Sequence, residues 1–86
     1  MAAKPTLVLS EGAVRFALAL GAQQRQKLVK ALEALVSNPQ AEPDFHELDL
    51  TGRKLSVVAV RPFLVTYWWD GAVDELRIVD IQRVKS

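Results

Sequence analysis

The sequence predicts an α+β fold in which an N-terminal strand and a helical hairpin pack on a small, mainly antiparallel sheet. Two segments with helical periodicity meet at Gly21, and the chain after residue 44 consists of short apolar segments separated by turn signals. The segment Arg53–Asp70 is rich in β-branched and aromatic residues, which favours two adjacent strands. The helices then present an apolar face that only the sheet can cover.

The composition is that of one globular domain. Half of the 86 residues are hydrophobic and 24% are charged, so we expect a single domain over residues 1–86. The absence of cysteine excludes disulfides and thiolate metal sites. The N-terminal apolar run is too short for a signal peptide and no segment could span a membrane. We therefore expect a cytoplasmic protein with no membrane partner.

The charge balance argues against a general nucleic-acid-binding protein. The net charge is +1, with 11 basic and 10 acidic residues. A protein that binds a phosphate backbone usually carries a clear excess of Lys and Arg. Nucleic acid binding is therefore expected only through a local patch.

The first half of the chain predicts an edge strand and two helices. Pro5 precedes a strand at Thr6–Leu9, and Ser10 is an N-cap for a helix over Glu11–Leu20. That helix carries Val14, Ala17 and Leu18 on one stripe and ends at Gly21 as its C′ residue. A second helix, from about Ala22 to Ser37, ends before Pro39. Its apolar face comprises Leu28, Val29, Leu32, Leu35 and Val36.

The second half predicts the sheet. Phe45–Leu50 is either a short strand or an irregular approach to the sheet, and strands follow at Lys54–Val60, Phe63–Trp69 and Glu75–Val84. A two-residue hairpin with Pro62 in second place favours a cis peptide bond after Arg61. Because Trp68 and Trp69 are adjacent, they should point to opposite faces of the sheet, one toward the core and the other toward a stacking ligand or a protein interface.

The order of these motifs resembles the RelE/ParE superfamily of bacterial type II toxins over almost the full length. Ser10 follows the first strand, and the second helix ends in Leu-x-x-Asn-Pro at residues 35–39. A Leu-containing segment follows at Glu47-Leu48. Val-x-Tyr stands at residues 65–67, and the last strand has the form Leu-x-Ile-x-x-Ile from Leu76.

The resemblance implies two growth-inhibiting activities. The RNA-cleaving members cut messenger RNA at the ribosome without a metal or cofactor, using a base near the 2′-hydroxyl, cations beside the phosphate and an acid for the leaving oxygen. The ParE branch inhibits DNA gyrase, which needs no nuclease site. Either toxin is neutralised by a cognate antitoxin, which places a helix or an added strand over the helical hairpin and sheet.

The nuclease pattern matches incompletely. Aligned on Tyr67, it places Leu64, Val57 and Ala59 where basic residues are expected. Arg83 stands where many members have His, and an Arg can stabilise a phosphate but cannot act as an acid near neutral pH.

The candidate site residues follow from this comparison. Basic residues near the strands can contact phosphate or an acidic partner, or be ordinary exposed side chains, and Tyr67 is either a contact residue or a core tyrosine. No metal-ligand spacing is present. The candidates are Arg61, Arg83 and Glu47 for catalysis, and Arg53, Lys54, Tyr67 and Lys85 for substrate binding.

Two function classes remain open. The first is a type II toxin that acts by mRNA cleavage at the ribosome or by gyrase inhibition. The second is a non-catalytic protein-interaction module that retains the toxin fold, which the near-neutral charge and the second tryptophan favour. A bound antitoxin or a homodimer interface would cover that tryptophan.

Overall fold

A computed structural model describes residues 4–84 as two helices packed on a five-stranded sheet. The helices and strands follow the predicted order. They are β1 (Thr6–Leu9), α1 (Glu11–Ala19), α2 (Ala22–Ser37), β2 (Phe45–Leu48), β3 (Lys54–Val60), β4 (Phe63–Asp70) and β5 (Glu75–Arg83).

The strand order in the sheet is β1-β5-β4-β3-β2. The predicted edge strand β1 pairs parallel with β5, and β2, which ends at Leu48, forms the other edge. All remaining pairs are antiparallel, so the mainly antiparallel α+β architecture is confirmed. The turn between β3 and β4 contains the cis peptide bond between Arg61 and Pro62.

Ser10 joins α1 to the sheet. Its Oγ accepts a hydrogen bond from the Ala13 N–H at 3.1 Å, which is the predicted N-cap interaction. The same hydroxyl donates to the carbonyl of Val79 in β5 at 2.9 Å. The side chain therefore satisfies one free N–H of the helix and fixes the helix start to the sheet.

The buried stripe of α1 differs from the predicted one. Val14 is 41% exposed and Leu18 is 69% exposed, so neither lies in the core as expected. The helix instead packs a face that is rotated by one residue, because Ala13 and the large ring of Phe16 fill the space beside Phe63 of β4. Residues on this face follow the spacing i, i+3, i+4 and i+7: Ala13, Phe16, Ala17 and Leu20.

Gly21 also differs from the prediction. It has an extended conformation, with φ −67° and ψ 164°, and serves as the N-cap of α2 instead of a left-handed C′ residue of α1. The end of α1 is stabilised from the next helix, since Arg25 donates hydrogen bonds to the carbonyls of Ala17, Leu18 and Leu20 at 3.1, 3.2 and 2.8 Å. A side chain thus replaces the expected glycine motif.

The main core lies between the helices and one face of the sheet. The α2 side chains Leu28, Leu32 and Leu35 contribute to it as predicted, whereas Val29 is 45% exposed. The sheet contributes Phe63, Val65, Tyr67, Leu76, Ile78 and Ile81.

A β-bulge in β5 sets which of its residues reach this core. Thr66 of β4 pairs with Asp80, but the next residue, Tyr67, pairs with Ile78, so Val79 is an extra residue. The bulge explains why Ile78 and Ile81 are both buried although they are three residues apart.

Candidate functional site on the open face of the sheet

The sheet has one face covered by the helices and a second face that we call the open face. Side chains alternate between the two faces, and the neighbours of the core residues Val65 and Tyr67 in β4 therefore lie on the open face. Cross-strand partners share a face, which extends this assignment to β2, β3 and β5. The open face carries Phe45, Glu47, Leu55, Val57, Ala59, Leu64, Thr66, Trp68, Arg77, Asp80 and Gln82. Leu55, Val57 and Thr66 are buried although no helix covers this face.

Trp68 is the central aromatic residue of this face and lies between two arginines. The guanidinium carbon of Arg53 is 4.0 Å from the centroid of the Trp68 ring, and that of Arg77 is 5.7 Å away. Both distances are within the range of cation–π interactions. The second tryptophan, Trp69, points to the helix-covered face, so the predicted opposite orientation is confirmed. The expectation that one tryptophan joins the core is wrong, because Trp69 is 39% exposed at a cleft beside the end of α2. We call Arg53, Trp68 and Arg77 the Arg–Trp–Arg cluster.

The two arginines of the cluster differ in their surroundings. Arg77 contacts Glu75 at 2.6 Å and approaches Asp70 at 3.8 Å, and its Nε is buried without a hydrogen-bond partner among the described residues. Arg53 is exposed and its guanidinium stacks on the ring. Of the two, Arg53 is therefore the better placed to contact a partner molecule.

The turn before β3 holds Arg53 in position. One carboxylate oxygen of Asp49 accepts hydrogen bonds from the Thr51 hydroxyl at 2.6 Å, the Thr51 N–H at 2.8 Å and the Arg53 N–H at 2.9 Å. These hydrogen bonds lower the pKa of Asp49 below its usual value, and the bond from the Thr51 hydroxyl has the largest effect. The carboxylate is therefore ionised near neutral pH and fixes the chain direction at Arg53.

Beside this cluster the open face is aliphatic along β3 and at Leu64, whereas β5 adds the polar residues Asp80 and Gln82, which pair with Thr66 and Leu64. Val57 pairs with Thr66, and Ala59 pairs with Leu64. Val57, Ala59 and Leu64 are the three residues that occupy the expected cationic positions of the nuclease pattern, and the pairing brings them together on one face. Where that pattern requires positive charge, the chain has aliphatic side chains. Of these, Val57 is buried, Leu64 is half-buried and Ala59 is exposed.

Arg61 and Arg83 lie at the same end of the sheet. Arg83 pairs with Phe63, two residues after Arg61, and the Val84 N–H donates to the Pro62 carbonyl at 2.7 Å. Arg61 and Arg83 are both exposed. Their backbones are neighbours at the β3–β4 turn, and we call these two residues the basic pair.

Glu47 lies far from this basic pair. It pairs with Leu55 in β3, six residues before Arg61, and a strand rises ~3.4 Å per residue, so the separation along the strand is about 20 Å. The three candidate catalytic residues are therefore divided between the two ends of the sheet. Glu47 lies on the open face and near the Arg–Trp–Arg cluster.

The substrate-binding candidates are also dispersed. Lys54 is exposed at the start of β3 and pairs with Leu48, and Lys85 lies outside the described residues. Tyr67 is 3% exposed and belongs to the core on the helix-covered face. Burial, together with the charge of Asp44, raises the pKa of Tyr67 above its usual value, so its phenol is neutral at physiological pH.

Arg77 was not identified from the sequence, although a signal for it exists. It stands between the apolar residues Leu76 and Ile78, and this alternation places it opposite the core. Its contact with Trp68 depends on the pairing of β4 with β5, which periodicity does not give. Across residues 4–84, no three His, Asp or Glu side chains converge as metal ligands.

The fold was compared with known proteins. No protein-family model and no curated protein sequence matches this chain. Solved structures of RelE toxins do. The archaeal RelE–RelB complex from Pyrococcus horikoshii OT3 matches with a TM-score of 0.73 and 10% identity, over 94% of this chain and 96% of that chain.

Two Escherichia coli structures match similarly. The intact RelBE toxin–antitoxin complex gives a TM-score of 0.67 and 15% identity, over 95% of this chain and 99% of that chain. The isolated RelE toxin gives a TM-score of 0.73 and 16% identity, over 95% of this chain and 86% of that chain. The described chain therefore has the RelE fold, and at these identities the likeness establishes the fold alone. Neither helix in residues 4–84 is long and apolar enough to cross a membrane.

Proposed function

We propose that this chain is the toxin of a type II toxin–antitoxin pair and that a cognate antitoxin neutralises it in the cytoplasm. The observation that carries the proposal is the RelE fold over at least 94% of the chain, shared with three structures of RelE or of RelE with RelB. The chain also covers 86% or more of each of those proteins.

For the mode of action, we favour inhibition of a protein target, DNA gyrase, over cleavage of RNA. The expected cationic positions on the open face hold Val57, Ala59 and Leu64, and aliphatic side chains cannot neutralise the charge that develops at a scissile phosphate. The accessible residues of this face include Phe45, which is 47% exposed, the half-buried Leu64 and Trp68, and the exposed Arg53. Apolar and aromatic side chains beside an arginine have the composition of a protein-binding surface.

A second mode, mRNA cleavage at the ribosome, is supported by a different observation. Arg61 and Arg83 lie together at one end of the sheet and could hold a phosphate between them. Neither can donate a proton as an acid, and Glu47 is about 20 Å away along β3. A nuclease of this kind would need its general base and acid from the ribosome or the RNA.

The proposal is tested by inducing the chain in bacteria with and without the neighbouring gene. Growth arrest by the chain alone, relieved by the partner, supports the toxin. If the folded chain does not arrest growth, the toxin assignment is wrong, and an interaction module with the toxin fold is the remaining class.

Two purified assays distinguish the modes of a growth-arresting chain. One follows message integrity in a translation system, and the other follows DNA supercoiling by gyrase. Intact message with blocked supercoiling supports gyrase inhibition, whereas cleaved message that depends on Arg61 and Arg83 supports the nuclease. Light scattering of the purified chain tests whether it forms a homodimer.

A further inference from the structure

A cleft of about 370 Å³ lies on the helix-covered side of the sheet, away from the open face. It is bounded by the C-terminal end of α2, by Pro5 before β1, and by Trp69 and Asp74 at the β4–β5 turn. None of the candidate residues for the toxin activity lines it. The cleft therefore needs an explanation of its own.

Trp69 and Asp74 form a fixed pair in this cleft. The indole Nε1–H of Trp69 donates to a carboxylate oxygen of Asp74 at 3.1 Å, and the Trp69 side chain remains 39% exposed. Asp74 has φ 53°, a left-handed conformation that Asp tolerates better than most residues, and its carbonyl accepts from the Thr6 N–H at 3.0 Å. The indole's only donor is thus used, and its ring and the carboxylate are held in place.

The end of α2 adds a third electronegative group. The Asn38 N–H bonds to the carbonyls of Ala34 and Leu35, whereas the carbonyls of Val36 and Ser37 accept no backbone N–H from residues 4–84. The last turn of α2 contains no basic residue to balance the negative end of the helix. Both Val36 and Ser37 line the cleft.

We propose that this cleft binds a cationic side chain, an arginine or a lysine, presented by a partner protein. An indole ring, a carboxylate and free helix carbonyls all attract a cation, and all three disfavour an anion. Arginine fits best because its planar guanidinium can stack on an aromatic ring while its N–H groups reach oxygen acceptors. The exposed Lys4 at the rim is an internal competitor for this position.

The test is an NMR titration of the full chain with the peptide acetyl-Gly-Arg-Gly-amide. The isosteric citrulline peptide, which lacks the charge, is the matched control. The chain has two tryptophans, so the two indole N–H signals are assigned with Trp68→Phe and Trp69→Phe. We expect a saturable shift of the Trp69 signal with the arginine peptide, little shift of the Trp68 signal, and a much smaller response to citrulline.

Two variants complete the test. Asp74→Asn keeps an acceptor for the indole and tolerates the left-handed backbone, but it should weaken arginine-peptide binding about tenfold because the charge is removed. Lys4→Ala should bind as well as the wild type or more tightly. An equal response to citrulline, unchanged binding by Asp74→Asn, or no saturable shift of the Trp69 signal would overturn the proposal. The outcome does not depend on toxin activity.

Discussion

The guanidinium of Arg53 lies over the Trp68 ring, 4.0 Å from its centroid, on the face of the sheet that the helices leave uncovered. Arg53 precedes β3, and the turn that contains Asp49 holds its backbone. Trp68 comes from β4 and is paired with Arg77 of β5. Side chains from three segments thus form one contact surface, in which Arg53 is exposed and Trp68 and Arg77 are half-buried. It lies beside the aliphatic residues that occupy the expected positions of nuclease cations.

The Arg53–Trp68 contact can be measured with a double-mutant cycle. Arg53→Ala and Trp68→Ala, alone and combined, should show a coupling of about 0.5–1 kcal/mol in the free energy of unfolding, as expected for an exposed cation–π pair. The measurement is urea denaturation followed by circular dichroism. Strictly additive effects would mean that the two side chains do not interact in solution.

Arg25 should contribute more to stability than its exposure suggests. It donates three hydrogen bonds to the last carbonyls of α1, so Arg25→Ala should lower the free energy of unfolding by about 1–2 kcal/mol. Arg15→Ala is the matched control, because it removes only an exposed ion pair with Glu11 and should cost about 0.5 kcal/mol or less. Equal losses in the two variants would contradict the role of Arg25 at this helix end.

Ser10 connects α1 to β5, so its hydroxyl should stabilise both the start of the helix and the attachment of the helix to the strand. Ser10→Ala removes the N-cap and should lower the free energy of unfolding by about 1 kcal/mol. The loss should be larger still because the Val79 carbonyl also loses its hydrogen bond from the Ser10 hydroxyl. Ser10→Thr keeps the hydroxyl and should recover most of the stability. The measurement is thermal denaturation of the wild type and both variants. A Ser10→Ala midpoint equal to that of the wild type would show that the hydroxyl contributes nothing to stability.

Tyr67 should give the fold an alkaline limit. Its pKa is raised in the folded state, so the unfolded chain loses the phenol proton first and the folded state binds more protons in that range. Stability should therefore fall as the pH rises from about 10 toward the folded pKa. Tyr67→Phe should reduce this fall in urea denaturation across that range.

The same residue gives a direct spectroscopic check. Tyr67 is the only tyrosine in the chain, so the absorbance of its phenolate reports its ionisation alone. Ionisation at the ordinary pKa of tyrosine in the folded protein would contradict the buried position.

The sequence predicts most of this fold because local signals determine most of it. The N-cap at Ser10, the strand at Lys54–Val60 and the opposite orientation of Trp68 and Trp69 follow from capping chemistry and period-two alternation. The buried face of α1 was predicted wrongly because the pattern of apolar residues in this helix is compatible with two orientations of the helix about its axis. Packing of Phe16 against Phe63 selects one of them.

The site is less predictable, because it depends on strand pairing. Arg77 reaches Trp68 only through the β4–β5 register, and the Val79 bulge changes that register midway along the strand. The separation of Glu47 from Arg61 and Arg83 likewise follows from the β2–β3 and β4–β5 pairing. None of these distances can be obtained from spacing along the chain.

The most direct test of the central claim is bacterial growth after induction of the chain alone, with wild type compared with Trp68→Ala. Leu18→Ala is the control, because it truncates an exposed apolar side chain on α1, which is 69% exposed and away from the open face. Circular dichroism must show all three proteins folded. We expect wild type and Leu18→Ala to arrest growth and Trp68→Ala to relieve the arrest. Uninterrupted growth with folded wild-type protein, or equal arrest by Trp68→Ala, would contradict the account.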